Sequence, residues 1–451
     1  MYQQGSLVEL EITDLSNNGD GVGRFAGRAI FVPNTVTGDR VLVRLLRLKK
    51  QYAYGKLQNI LSPSPHRIRP NCIVADKCGG CQWQHIDDSY QRTVKQNHVH
   101  ESLKHIGGFN DPQLSEILFS PEVLGYRNKV TYPLGRSATG KVQSGYYRQN
   151  SHQLINLNQC PIQDVRLNPL LIDIKQDIEA QGWSIYDENK HQGRLRHFSL
   201  RIGKRTGEIL LTLISTHKNL SNLHQQAETW LQRYPNLVGV ALNYNPKTGN
   251  VIFGEETTII AGRPYLREIF AGLEFHLGPD TFFQINTEAA EILLNAIIQK
   301  LDLKGTERLV DAYCGIGTFT LPLAQKVKQA LGLELNPNSI AQARDNARLN
   351  NIDNVTFMSG KVETLLPQLS FSPDIVMLDP PRKGCDRAVI ETLRNLEPSQ
   401  IVYVSCKPAT LARDLQQLCQ GGKYHLIWLQ PMDFFPQTSH VESVALLRLN
   451  P

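Results

Sequence analysis

Nowhere in the 451 residues does an uninterrupted apolar run approach the roughly 18 residues needed to cross a bilayer, so no membrane-spanning helix is expected. The opening MYQQGSLVELEITD lacks the basic and apolar regions of a secretory signal, and the chain is expected in the cytoplasm. Cysteine is scarce. Its eight positions (Cys72, Cys78, Cys81, Cys160, Cys314, Cys385, Cys406 and Cys419) are too few for a secreted disulfide framework, which leaves reduced thiols, ligands or catalysts. Internal repeats and low-complexity tracts are missing as well. With 41% hydrophobic and 20% charged residues the chain is neither disordered nor fibrous, and its length suggests two or three domains.

Acid is absent from one long stretch. Between Arg40 and Arg69 stand Arg40, Arg44, Arg47, Lys49, Lys50, Lys56, Arg67 and Arg69 with no Asp or Glu, although the whole chain carries only +6. Such a stripe attracts phosphate and is the usual footprint of nucleic-acid binding; a solvated face is the plain alternative.

Residues 6–60 read as short strands, LVELEIT, RAIFVPN, RVLVRLLRL and YAYGKLQNI, separated by the turn-rich NNGDGVG and TVTGD. That spacing suggests a small closed or nearly closed barrel (1–62), and the Pro-rich LSPSPHRIRP reads as a linker. A mixed α+β central region (63–280) follows, with strand-like HFSLRIG and EILLTLIS. From 281 to 451 apolar strands (ERLVDAY, QALGLEL, DNVTFMS, PDIVMLDPP, QIVYVSC, KYHLIWLQP) alternate with helical patterns such as PNSIAQARDNARLNN. This alternation predicts an α/β domain with a mostly parallel, doubly wound sheet.

Four motifs carry chemistry. In DAYCGIGTF (Asp311–Phe319) Gly315 and Gly317 let backbone approach a ligand, and Glu334, at the end of the next strand, is placed to bind a ribose hydroxyl. Thr320 stands where the third glycine of a dinucleotide fingerprint would fall, which favours S-adenosylmethionine over NAD; a simple tight turn is the common alternative. In LDPPRKG, Asp379 and Arg382 follow an apolar strand and so face the ligand crevice. Arg382 occupies the place where an aromatic platform would have pointed to amine methylation.

The third motif, VYVSCKPAT, puts Cys406 at the end of another strand. A lone Cys in an apolar strand is usually a small buried hydrophobe, but this one belongs at the same sheet edge as Asp311 and Asp379, with Lys407 adjacent to favour thiolate. A thiolate added to carbon 6 of a pyrimidine makes carbon 5 nucleophilic, and a base must then remove the carbon 5 proton. Glu442, in FFPQTSHVES, is the candidate, with His440 as its competitor. The fourth motif is Cys72, Cys78 and Cys81 with the remote Cys160. A C-x5-C-x2-C run with a fourth thiolate before Pro161 suits an iron-sulfur cluster, and four-thiolate zinc is nearly as compatible on spacing alone. Four protein thiolates disfavour radical S-adenosylmethionine chemistry and leave the cluster a structural or RNA-contacting part.

Together these residues resemble the RNA uracil-5-methyltransferase family, in particular its iron-sulfur 23S rRNA (uracil-C5)-methyltransferase branch, over nearly the whole chain. The resemblance implies a TRAM RNA-binding barrel at 1–62 and a 4Fe-4S cluster on Cys72, Cys78, Cys81 and Cys160. The family-like GYRNK (125–129) and GYYRQNSHQLINLNQC (145–160) lie in a central region that, in this family, packs partly with the catalytic domain. By the same resemblance Gln284 (in FFQIN), Tyr313, Glu334 and Asp379 contact S-adenosylmethionine, Cys406 is the nucleophile and Glu442 the proton acceptor. Lys407 departs from the family, which more often has Asn there.

The implied reaction makes 5-methyluridine in RNA, most simply 23S rRNA, by a monomeric enzyme with no membrane partner. Three other readings stand beside it: the same chemistry on tRNA, a non-catalytic RNA-binding assembly factor, and an NAD-dependent redox protein.

Overall fold

The computed structural model describes residues 3–450. The strands β1 (Leu7–Leu15), β2 (Gly21–Phe25), β3 (Arg28–Val32), β4 (Arg40–Leu48) and β5 (Tyr52–Ser62) close into a barrel in the order β1-β2-β3-β5-β4. Alternate residues point inward, so Val8, Leu10, Ile12, Ile30, Val32, Val41, Val43, Leu45 and Ala53 fill its core. Each buried aliphatic side chain contributes on the order of 1.5–3 kcal/mol.

Two sequence expectations change here. β2 begins within the segment NNGDGVG read as a turn, because its glycines mask the strand pattern. They are required by packing: a Cβ at Gly21 would lie 2.0 Å from Thr35 Oγ1, and one at Gly23 2.5 Å from the Glu11 carbonyl oxygen. The expected linker is instead bolted down. Asp39 accepts from Val36 N (2.7 Å), Ser64 N (2.8 Å) and the Arg67 guanidinium (2.5 Å), and these bonds outweigh burial and hold its carboxyl below the ordinary range. Arg67 is therefore an ion-pair partner of the barrel rather than part of a phosphate stripe.

Helix α1 (Asp88–His105) follows the cysteine segment, capped by Asp87, which accepts from Ser89 N and Tyr90 N. It packs on the C-terminal layer, burying Val99 and Leu103 there, and β6 (Leu118–Phe119) extends the same layer's sheet. The central sheet runs β13-β12-β11-β10-β7-β8-β9. Its strands are β7 (Lys129–Arg136), β8 (Val142–Tyr147), β9 (Leu154–Asn156), β10 (Leu195–Ile202), β11 (Ile209–Ser215), β12 (Leu237–Tyr244) and β13 (Glu256–Gly262). Helices α2 (Asn168–Ala180) and α3 (Leu223–Arg233) share a core with it. A hairpin, β14 (Leu266–Phe270) and β15 (Leu273–Leu277), leads to α4 (Thr287–Leu301).

The C-terminal sheet has the order β18-β17-β16-β19-β20-β22-β21-β6. β16 (Arg308–Ala312), β17 (Gln329–Glu334), β18 (Val355–Ser359), β19 (Ile375–Leu378) and β20 (Gln400–Ser405) run parallel to one another. β22 (Glu442–Leu449) inserts antiparallel between β20 and β21 (Tyr424–Asp433). Successive strand residues alternate between two cores. Leu309 and Met377 meet α4 and α5 (Pro337–Leu349) on one face, whereas Val310 and Val376 meet the helices over Arg387–Leu396 and Pro408–Cys419 on the other. Covered on both faces, the parallel strands leave only their carboxyl ends for chemistry.

Candidate active site

The chain leaves β16 through a strained turn. Tyr313 has φ +93°, a costly conformation for a side chain with a Cβ, and its N–H donates to Leu333 O at 2.9 Å. Gly315 (φ +56°) and Gly317 (φ +85°) continue the turn, and the Gly315 N–H donates to Glu334 Oε2 at 3.2 Å. Asn336 N donates to Glu334 Oε1 at 2.8 Å, which fixes the carboxylate at the end of β17.

Beyond this turn opens a cleft of ≈ 890 Å³. Gln284, Tyr313, Glu334, Asp379, Cys406 and Glu442 all line it, joined by Asp311, Arg382 and His440. Gln284 comes from the segment before α4 and reaches Asp379 Oδ2 at 3.5 Å; its own carbonyl accepts from Asn128 Nδ2 at 2.8 Å.

Electrostatically the cleft is short of cations. Burial, with a smaller push from Glu334, raises Asp311 to about 7, although Thr320 Oγ1 donates to it at 2.5 Å. Burial and the neighbouring Asp311 raise Asp379 to about 7. Burial and Asp379 raise Glu442 to about 8, against the pull of Arg382. Carboxyls raised in this way by burial and by one another cluster at functional sites.

Cys406 follows β20. Its thiol is pushed up by burial first and by Glu442 and Asp379, while Arg382 pulls it down. The expectation that Lys407 would favour thiolate is therefore corrected: the cation whose field reaches the sulfur is Arg382. Lys407 is exposed at the start of the following helix, and adjacent residues of extended chain point apart. His440 lines the same cleft, but burial and the charges of Arg382, Lys95 and Arg127 lower its basicity.

The sequence reading missed the cleft's apolar lips. Phe282 and Leu335 are 63% and 62% exposed there, an arrangement suited to the faces of a flat heterocycle. Phe282 lies within FFQIN and was within reach of a motif argument; Leu335 gives no signal in the sequence.

A second pocket is lined by Cys72, Cys78, Cys81 and Cys160 together with Val74, Leu157 and Ile162. Burial pushes the Cys81 thiol up to about 12 and Cys160 up to about 11, and the thiols raise one another. The buried Arg127 guanidinium offsets Cys81, and its Nε has no hydrogen-bond partner. Among the described residues, no three His, Cys, Asp or Glu side chains converge tightly enough to hold a single metal ion. The donor set of four soft thiols beside an unpaired buried cation fits an anionic thiolate-ligated cluster.

On the barrel, Phe31, Tyr52 and Tyr54 form an outer aromatic face with ring centroids 5.7–5.9 Å apart. The exposed Arg44, Arg47 and Lys56 belong to the adjoining strands. Rings beside cations suit unpaired bases and their phosphates.

Against known proteins, residues 90–366 and 366–450 match the family described as tRNA (Uracil-5-)-methyltransferase, and residues 2–57 match the TRAM domain. An uncharacterized RNA methyltransferase of Nostoc sp. is 62% identical over 100% of this chain and 98% of its own length. Another, of Synechocystis sp., is 57% identical over 99% of this chain and 97% of its own. The crystal structure of Pyrococcus abyssi tRNA (uracil-54, C5)-methyltransferase in complex with S-adenosyl-L-homocysteine aligns with TM-score 0.78 and 28% identity. The alignment covers 98% of this chain and 100% of that one.

Proposed function

Because the chain belongs to the RNA uracil-5-methyltransferase family, and so is an S-adenosylmethionine-dependent RNA methyltransferase, we infer that it methylates uridine through a covalent Cys406 adduct. The observation that carries this reading is the meeting of Cys406, Asp379, Arg382 and Glu442 in one cleft with the glycine turn and Glu334.

The methyl donor lies along the turn. Glu334 takes its ribose, Phe282 and Leu335 flank its adenine, and Gln284, Tyr313 and Asp379 contact the remainder. Its sulfonium supplies the missing cation and draws Asp379 and Glu442 into their charged forms. The target uridine leaves its stack to enter the cleft. The Cys406 thiolate, favoured by Arg382, adds to carbon 6, and carbon 5 takes the methyl group with release of S-adenosylhomocysteine.

That transfer converts the sulfonium into a neutral thioether. The cation that held Glu442 ionised disappears at the moment the carbon 5 proton has to leave, so the carboxylate regains its high proton affinity when it is needed. Glu442 takes the proton, the carbon 6–sulfur bond breaks, and 5-methyluridine departs. His440, made less basic by burial and then by its cationic neighbours, is the weaker acceptor.

RNA docks on the barrel through its basic and aromatic face and on the central region. Cys72, Cys78, Cys81 and Cys160 would hold a 4Fe-4S cluster, which would brace the segment between barrel and catalytic sheet. Chemical iron and sulfide determination on anaerobically purified protein checks this; zinc in place of iron would refute it.

The preferred substrate is 23S rRNA, on the grounds of the four-cysteine set. The barrel alone does not separate rRNA from tRNA, because the alignment with the Pyrococcus abyssi tRNA enzyme extends over 98% of this chain. A tRNA substrate is therefore the second reading. Labelled methyl transfer to unmodified 23S rRNA and tRNA in parallel decides between them: incorporation into rRNA alone is expected, and incorporation into tRNA alone overturns the rRNA assignment. The protein is taken to act in the cytoplasm; none of its described helices is long and apolar enough to cross a membrane.

A further inference from the structure

Glu442 is the first residue of β22. Glu442 pairs on one side only, with Met432 of β21, and from Ser443 onward the sheet holds the chain on both sides, by pairing with Ser405 and Pro431. Ahead of Glu442 lies the connection from β21, residues 434–441, which includes His440. One turn closes within it, where Thr438 N and Oγ1 donate to Phe435 O at 3.3 and 2.8 Å, and further bonds hold it from outside.

The holding groups come largely from the cysteine segment and α1. Trp83 N donates to Gln437 O at 3.0 Å. Gln91 clasps the same residue twice: its Oε1 accepts from Gln437 N at 2.9 Å and its Nε2 donates to Gln437 Oε1 at 3.2 Å. Gln437 Nε2 in turn donates to Asp88 Oδ1 at 2.8 Å. One turn further along α1, Lys95 donates to Asp433 Oδ1 at 2.6 Å and to Phe435 O at 3.0 Å. Tyr126 OH donates to Pro436 O at 3.1 Å, and Ser439 Oγ donates to Asn17 O of the barrel at 2.9 Å.

These contacts are unusual in two respects. Gln91 and Lys95 are 1% and 0% exposed, although amide and ammonium groups are expensive to bury unless every bond is made. Gln437 sits at φ +70°, a conformation that a side chain with a Cβ tolerates only when its surroundings impose it. Buried polar groups and a strained residue are concentrated on the one connection that leads into the presumed base.

We propose that Gln91 and Lys95, on the helix after the cysteine segment, are positioning residues for proton removal, forming a latch on residues 433–437 that aims Glu442 at carbon 5. The proposal rests on the assignment of Glu442 as proton acceptor. Neither residue lines the cleft. The latch also gives the N-terminal half of the chain a bearing on catalysis separate from RNA affinity, since Trp83, Gln91, Lys95 and Tyr126 all precede β16 in sequence.

The test compares full-length wild type, Gln91→Leu, Lys95→Met and Glu442→Gln on RNA carrying uridine or 5-deuterated uridine, with the covalent adduct read by denaturing electrophoresis. A misaimed base slows only the step after methyl transfer. Gln91→Leu and Lys95→Met should each lower kcat about tenfold, a fraction of what a general base supplies. KM for RNA and affinity for S-adenosylmethionine should stay within about twofold of wild type, adduct should accumulate, and a deuterium effect should emerge on kcat. A loss that appears in KM alone, or a fall in kcat with neither adduct nor isotope effect, overturns the proposal.

Gln437→Gly guards against simple misfolding. It relieves the strained φ and keeps both backbone bonds while removing the side-chain pair, so it should fold and show the same signature in milder form; a wild-type isotope effect there also counts against the latch. If Glu442→Gln itself leaves no adduct, the base assignment is what fails. If Glu442→Gln stalls while Gln91→Leu and Lys95→Met do not, the base stands and the latch is wrong.

Discussion

The cleft at the strand ends and the pocket of cysteines face one electrostatic difficulty with different chemistry. Each gathers groups of a single charge type where water is scarce: Asp311, Asp379 and Glu442 in the first, Cys72, Cys78, Cys81 and Cys160 in the second. Each has one nearby guanidinium, Arg382 and Arg127 respectively, that offsets part of the repulsion. The acids of the cleft sit near neutrality, at about 7 to 8, so a passing cation can charge them and a departing one can release them. The thiols of Cys81 and Cys160 sit much higher, at about 12 and about 11, where a bound metal would keep them ionised. A site tuned near neutrality suits turnover, and one tuned far from it suits permanent occupancy.

The comparison is broken most severely through the cleft's base. Glu442→Gln should lower turnover by about 10²- to 10⁴-fold and leave a covalent RNA adduct visible on denaturing gels. Free RNA with normal turnover would remove Glu442 from the mechanism. On the other side, Cys81→Ser should abolish iron binding and expose the 72–81 segment to proteolysis, with S-adenosylmethionine affinity unchanged; calorimetry together with limited digestion reads both. A loss of cofactor affinity would mean that the two sites are not separate.

A smaller and more diagnostic effect is expected with pH. Below about 7 the cleft acids are protonated and offer a sulfonium little, so affinity for S-adenosylmethionine should rise as pH increases from 6 to 8, while neutral S-adenosylhomocysteine should respond weakly. The ligand-free protein should show the reverse in stability. Its acids bind protons in the native state that the unfolded chain has already lost above about pH 4, so the melting temperature should fall as pH rises from about 5 to 8 and level off beyond. Melting curves that are flat over this range would contradict the raised carboxyls. Smallest of all is Lys407→Ala, which should shift the alkaline limb of the pH–rate profile less than Arg382→Gln does, because Arg382 is the cation that acts on Cys406.

What could be read in advance follows the same division. Cys406, Asp379, Glu334 and the glycine turn were legible because a parallel sheet brings the carboxyl ends of its strands to one edge, so short motifs at strand ends become neighbours in space. The TRAM barrel was legible from alternation, except where Gly21 and Gly23 hid a strand whose need for glycine is tertiary. Arg382 was named as a candidate, but its part in place of Lys407 depended on side-chain direction. The latch was invisible. Gln91 and Lys95 look like ordinary surface positions of a polar helix, and only the fold shows that both are buried against residues more than three hundred positions later.

The most direct test of the covalent route is a trap with 5-fluorouridine-substituted RNA and S-adenosylmethionine, run on denaturing gels for wild type and Cys406→Ala. Fluorine cannot leave carbon 5 as a proton does, so wild type should stall as a cofactor-dependent shifted band that Cys406→Ala loses while its cofactor affinity stays near normal. A shifted band that survives in Cys406→Ala, or methylation without any adduct in wild type, would contradict it.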